Sequence, residues 1–125
     1  MKAKIVFYNL LCLLLSISLN AQEGQTIIGQ WQDAKHPEKQ LEIYEQEQLY
    51  FGKSINEKDA NKNGRLILDA LKWIEKSDTY QGTIIDPDKG WRVALTIQML
   101  DRDTFQFTIG RFLFKKTFTF KRIQR

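Results

Sequence analysis

Between Trp91 and Met99 every second residue is strongly apolar: Trp91, Val93, Leu95, Ile97 and Met99 are separated by Arg92, Ala94, Thr96 and Gln98. Successive side chains of an extended chain point to opposite faces, so a period of two gathers the first set on one surface and leaves the second to solvent. The pattern recurs. Phe105, Phe107 and Ile109 alternate with Thr104, Gln106 and Thr108; Phe118 and Phe120 with Thr117, Thr119 and Lys121; Leu41 and Ile43 with Gln40 and Glu42. Each run reads as a half-buried antiparallel strand.

Turn chemistry falls between the runs. Asp86-Pro87-Asp88-Lys89-Gly90 places proline and glycine for a tight hairpin connection, and Asp101-Arg102-Asp103 joins the next pair. No long helical period, repeat or low-complexity tract occurs after residue 21. A polar, irregular stretch from Asn56 to Asn63 separates an early set of strands from a later one. The expected fold is all-β: one antiparallel up-and-down barrel of about eight or nine short strands, whose closure removes exposed edges.

The first 21 residues have a different character. Lys2 and Lys4 precede a mostly apolar run from Ile5 to Leu19, and Leu19-Asn20-Ala21 supplies a small-residue cleavage site before Gln22. This is the layout of a secretory signal peptide. The run is shorter than the ~20 apolar residues of a spanning helix and is broken by Asn9, Ser16 and Ser18. The expectation is a signal over 1–21, cleavage between Ala21 and Gln22, and a barrel domain over 22–125. The product would be periplasmic or extracellular, with no membrane span after cleavage. The lone cysteine, Cys12, leaves with the signal, so the exported domain would rest on its core without disulfides. Loss of Lys2 and Lys4 also lowers the net charge from +4 to +2, which argues against a nucleic-acid partner.

Several stretches in order resemble the bacterial envelope family called domain of unknown function 2147. They are Ile28-Gly29-Gln30-Trp31, Leu41-Glu42-Ile43-Tyr44, Leu49-Tyr50-Phe51-Gly52-Lys53, Gly82-Thr83-Ile84-Ile85-Asp86-Pro87 with Gly90, Ile109-Gly110 before Leu113-Phe114, and the closing Thr117 to Ile123. The resemblance implies a secreted protein and a calycin-like barrel, similar to lipocalins and fatty-acid-binding proteins. It implies no catalytic residue. Against the family pattern, the loop before Gly64 is short and lacks the usual arginine- and proline-rich insertion.

Gly29-Gln30-Trp31 with Arg122 in the last strand also resembles the closing pair of lipocalins. A barrel end needs a large apolar plug, and a guanidinium can stack on an indole while its donors reach loop carbonyls. Arg122 shares a strand face with Phe118 and Phe120, which would turn it inward. Gly29, Trp31 and Arg122 are therefore expected to close the barrel structurally. Phe112 to Phe114 are expected to form a turn before this strand; otherwise Lys116 would share the inner face.

Asp59 to Ala70, DANKNGRLILDA, opens like an EF-hand loop. The twelfth position, a bidentate glutamate in such loops, is Ala70, and the ninth is Ile67, so no calcium site is expected. In the family pattern Gly64 belongs to the entry of the following strand. Other chemistry is sparse. The domain has one histidine, His36 beside Pro37, and two serines, Ser54 and Ser77. No nucleophile-base-acid set, metal ligand set or cofactor motif can be assembled. Asp86 and Asp88 are expected to serve their turn rather than act as paired carboxylates. The basic, aromatic run from Arg111 to Arg125 reads as core phenylalanines with solvated cations between them.

Three functions stay open. An eight-stranded barrel can hold one small apolar molecule or lipid, here against Trp91, Leu95, Ile97, Phe105, Phe107, Phe118 and Phe120. The same bulky residues instead suit a filled barrel that acts through its outside as an envelope scaffold or interaction module. An enzyme is the third. The domain is expected to be a monomer.

Overall fold

The computed structural model describes residues 26–110 and 114–124. The expected signal over 1–21, its cleavage between Ala21 and Gln22, and Phe112 and Leu113 of the expected turn lie outside the described residues. Eight strands follow in order: β1 (Gly29–Asp33), β2 (Gln40–Gln46), β3 (Leu49–Ile55), β4 (Leu66–Ile74), β5 (Thr79–Asp86), β6 (Trp91–Asp101), β7 (Thr104–Ile109) and β8 (Lys116–Arg122). Each pairs antiparallel with the next, and β8 returns to β1 through Trp31↔Arg122, Gln32↔Lys121 and Asp33↔Phe120. The fold is a closed up-and-down barrel; residues 91–94 of β6 run past its pairing with β7, which begins at Leu95↔Ile109.

The two ends differ. The connections at 34–39, 56–65 and 87–90 gather at one end, where β7 also finishes and β8 begins. Those at 47–48, 75–78 and 102–103 gather at the other, with the chain before β1 and after β8. Exposure along the inward face of β6 shows which end is open: 41% at Trp91, 37% at Val93, 3% at Leu95 and zero at Ile97.

Strand β4 breaks the simple alternation. Leu68 and Leu71 are both buried although three residues apart, because Ala70 takes a φ of 51° and the register with β5 shifts between Asp69 and Lys72. A bulge adds one residue and turns Leu71 back to the core. A single 3-10 turn, Ala60–Lys62, lies in the 56–65 connection.

An eight-stranded barrel is just wide enough for side chains to fill it, and aromatic rings do so here. From the closed end upward, Trp31 meets Phe105 edge-on at 4.6 Å between centroids, and Phe105 stacks on Phe120 at 5.4 Å. Phe120 meets Phe107 at 5.6 Å, and Phe107 stacks on Phe118 at 4.8 Å. Across the interior, Tyr80 contacts Trp73 at 4.8 Å and Tyr50 at 5.2 Å. Each such pair contributes about 0.5–1.5 kcal/mol beyond the area it buries.

The two buried tyrosines give the fold an alkaline limit. Burial, followed by the nearby Glu45 carboxylate, pushes the Tyr50 phenol up to about 12. Burial and then the Tyr50 phenol raise Tyr80 as well. An unfolded tyrosine ionises near pH 10. Above that pH the unfolded chain binds fewer protons than the folded one, so stability falls as pH rises from about 10 towards 12. Tyrosinate absorbance from Tyr50 and Tyr80 should therefore appear together with unfolding, and Tyr50→Phe with Tyr80→Phe should flatten this alkaline decline. A smooth titration of both phenols in a barrel that stays folded would contradict their burial.

Candidate functional site: the barrel mouth and its opposite plug

The closed end is built around Trp31, which is fully buried and donates its indole N–H to the Ile27 carbonyl at 2.9 Å. Arg122 lies over the indole, its guanidinium carbon 4.3 Å from the ring centroid. Its Nη1 donates to the Ile28 carbonyl at 2.9 Å and Nη2 to the Arg102 carbonyl at 2.9 Å, with a further bond from Nη2 to the Thr26 carbonyl. Nε donates to the Asp103 carboxylate at 3.1 Å. One planar fork thus ties the entry of β1 and the β6–β7 turn to the last strand, a task suited to five fixed donors.

Gly29 is required by the same arrangement. Its φ is 142°, and a Cβ there would lie 2.5 Å from the Arg122 Nη1. The residue two before the tryptophan must be small because the guanidinium occupies the space beside it. Gly29, Trp31 and Arg122 form one structural unit at the closed end.

At the open end, a cleft of about 520 Å³ lies where β6 and β8 begin. Its apolar lining includes Trp91, Val93, Ile109 and Phe114; Phe114 is 86% exposed. Gly110 positions Phe114: its φ is 99°, and a Cβ there would run into the Phe114 carbonyl. Lys116 also lines the cleft. Register pairs it with Ile109, two residues above the Phe107↔Phe118 pair, so it has the inward parity of Phe118 and Phe120 but sits at the rim. The mouth thus carries two cations, Arg92 and Lys116, beside the exposed Trp91, Val93 and Phe114 and the half-buried Ile109.

The seven residues expected to line a ligand chamber fall into two groups. Leu95, Ile97, Phe105, Phe107 and Phe120 are buried core, and Phe118 is half-buried against it. Trp91 stands in the mouth. Val93, Ile109, Phe114 and Lys116 were not among the seven. Strand parity alone could have marked Val93 and Ile109, but which end is open depends on the plug at the other.

The remaining candidate chemistries have local structural tasks. Asp59 caps the 3-10 turn by accepting from the Asn61 backbone N–H at 3.0 Å, and Asn63 accepts from the Glu57 N–H at 2.8 Å. Two oxygens of the EF-hand-like stretch are therefore held by the backbone. The Ser54 hydroxyl donates to the Lys62 carbonyl at 2.6 Å and accepts from the Arg65 N–H, which anchors that loop. Asp86 accepts from the Asp88 and Lys89 backbone N–H groups at 3.0 and 3.1 Å, the local bonding that favours aspartate in such turns. Asp88 pairs with Arg65 at 3.1 Å and Lys62 at 3.9 Å, and these cations hold its carboxyl below the usual carboxylate range. His36 is exposed, 3.8 Å from Glu38. Among the described residues no group of three or more His, Cys, Asp or Glu is placed to hold a metal, and no helix is long and apolar enough to cross a membrane.

Comparison with protein-family models, with curated proteins and with solved structures returned no match.

Proposed function

We propose that this protein is an exported, non-enzymatic binding barrel that holds a small apolar molecule or lipid at its open mouth. The observation that carries the reading is the cleft of about 520 Å³ with Trp91, Val93, Ile109 and Phe114 on its walls. Its volume lies in the range of small-molecule sites, which are largely apolar with a few polar groups. Large apolar side chains cost solubility when left in water, and the exposed Trp91, Val93 and Phe114, gathered at one opening beside the half-buried Ile109, are best explained by something that covers them. Export rests on the signal-like layout of residues 1–21 and on the resemblance to the envelope family.

The ligand would rest against Trp91, Val93, Ile109 and Phe114 at the rim rather than pass between the stacked phenylalanines below. A shallow seat of this kind favours rapid exchange and tolerance of different chain lengths. The purified protein should enhance the fluorescence of N-phenylnaphthylamine saturably. Trp91→Ala should weaken that binding by about tenfold or more while leaving the melting temperature nearly unchanged, as expected of a rim aromatic that anchors a ligand. An unaltered affinity in Trp91→Ala would refute the mouth as the site.

A second reading has one observation in its favour. The interior is packed with contacting rings, as suits a barrel that acts through its outside as an envelope scaffold. Under it, the same rim would meet a protein surface, and the probe would not bind.

A further inference from the structure

Among the described residues that line the mouth, two are charged, Arg92 and Lys116, and neither is acidic. The two cations differ in their surroundings. Arg92 pairs with the Asp69 carboxylate across the outside of the barrel, so its charge is locally compensated. Lys116 has no ion-pair partner among the described residues. The nearby hairpin acids are engaged elsewhere: Asp86 by two backbone N–H groups, Asp88 by Arg65 and Lys62. An apolar cleft with one uncompensated ammonium at its rim complements a molecule with an apolar tail and an anionic head.

Building on the proposed mouth site, we infer that its ligand is a single-chain amphiphile with an anionic head group. The tail lies against Trp91, Val93, Ile109 and Phe114, and the head is held by Lys116. Lysine suits this task because it offers a compact charge on a flexible stem, which can follow a head group at a solvent-open rim without demanding one geometry. The stem can lie along the apolar wall while the ammonium stays in water. An exposed pairing of this kind is weak, so Lys116 selects among ligands that the apolar wall already holds.

The test compares dodecanoate, dodecanol and dodecyltrimethylammonium by displacement of N-phenylnaphthylamine, on the wild-type protein, Lys116→Gln and Lys115→Gln, at low and high salt. Wild type should bind dodecanoate about two- to fivefold more tightly than dodecanol at low salt, and the ammonium compound least. High salt should erase the preference. Lys116→Gln should lose it too, with dodecanol affinity unchanged, and Lys115→Gln, in the exposed chain just before β8, should keep it. Equal binding of dodecanoate and dodecanol by wild type would overturn the anionic assignment and leave the apolar site standing. An equal loss of the preference in Lys115→Gln would reduce it to overall charge and also overturn the role of Lys116. If none of the three displaces the probe, or the probe itself does not bind, the mouth reading and this inference both fail.

Discussion

Trp31→Ala is expected to destabilise the barrel by about 3–5 kcal/mol, as large-to-small changes of a buried tryptophan do. In a domain of this size that corresponds to a fall in Tm of more than about 12 °C. The indole is fully buried, meets Phe105 edge-on, lies under the Arg122 guanidinium and bonds the Ile27 carbonyl. Its removal opens a cavity at the base of the aromatic column and leaves the guanidinium without the ring it covers. Trp31→Phe should be milder, since a ring remains and only the N–H bond and part of the volume go. Denaturant melts of both variants measure this. A loss below about 1 kcal/mol for the alanine variant would mean that the closed end is not held by the indole.

Arg122→Ala is expected to cost about 2–4 kcal/mol, from charge-assisted hydrogen bonds and a cation stacked on an aromatic face. The carbonyls of Thr26, Ile28 and Arg102 all lose a donor at once. Arg122→Lys should recover less than half of the loss. An ammonium keeps the charge, but it cannot stack as a plane on the indole while it also reaches three carbonyls. The two closing residues should be coupled: in the Trp31→Phe background, Arg122→Ala should cost less than in the wild type, because part of its partner is already gone. Full rescue by lysine would show that charge alone matters there.

The strands that alternate cleanly could be read from the sequence. Trp91 to Met99, Phe105 to Ile109 and Phe118 to Phe120 form β6, β7 and β8 because a period of two has one structural meaning when one face is buried. The Asp86–Gly90 turn was legible for a local reason, the side chain of Asp86 bonding the backbone just after it. Other features were not legible. The two-residue turn between β2 and β3 has positive φ at both Glu47 and Gln48 and no glycine or asparagine to signal it. The register of its flanking strands, Gln46↔Leu49 onward, makes the turn follow. The β4 bulge at Ala70 likewise depends on β5 lying opposite.

The closing pair was legible and the mouth was not. Gly29, Trp31 and Arg122 are marked by their resemblance to the lipocalin closing pair, supported by the parity that Arg122 shares with Phe118 and Phe120. The mouth is defined by what fails to be buried, and burial is a property of the whole closed sheet. Leu95 and Val93 are alike in sequence and share a strand face, yet they are 3% and 37% exposed because one lies below the rim and the other in it. Lys116 follows the same logic. It has inward parity and is tolerated because it is the first residue of its strand, where the barrel opens to water.

The most direct test follows the indole N–H resonances of Trp31, Trp73 and Trp91 by NMR while N-phenylnaphthylamine is titrated into the purified protein. A barrel plugged at one end and receptive at the other predicts a saturable shift at Trp91, while Trp31, bonded to Ile27 beneath its guanidinium, stays in place. Movement of Trp31 with Trp91 unmoved, or no movement of any of the three as the probe is added, would contradict it.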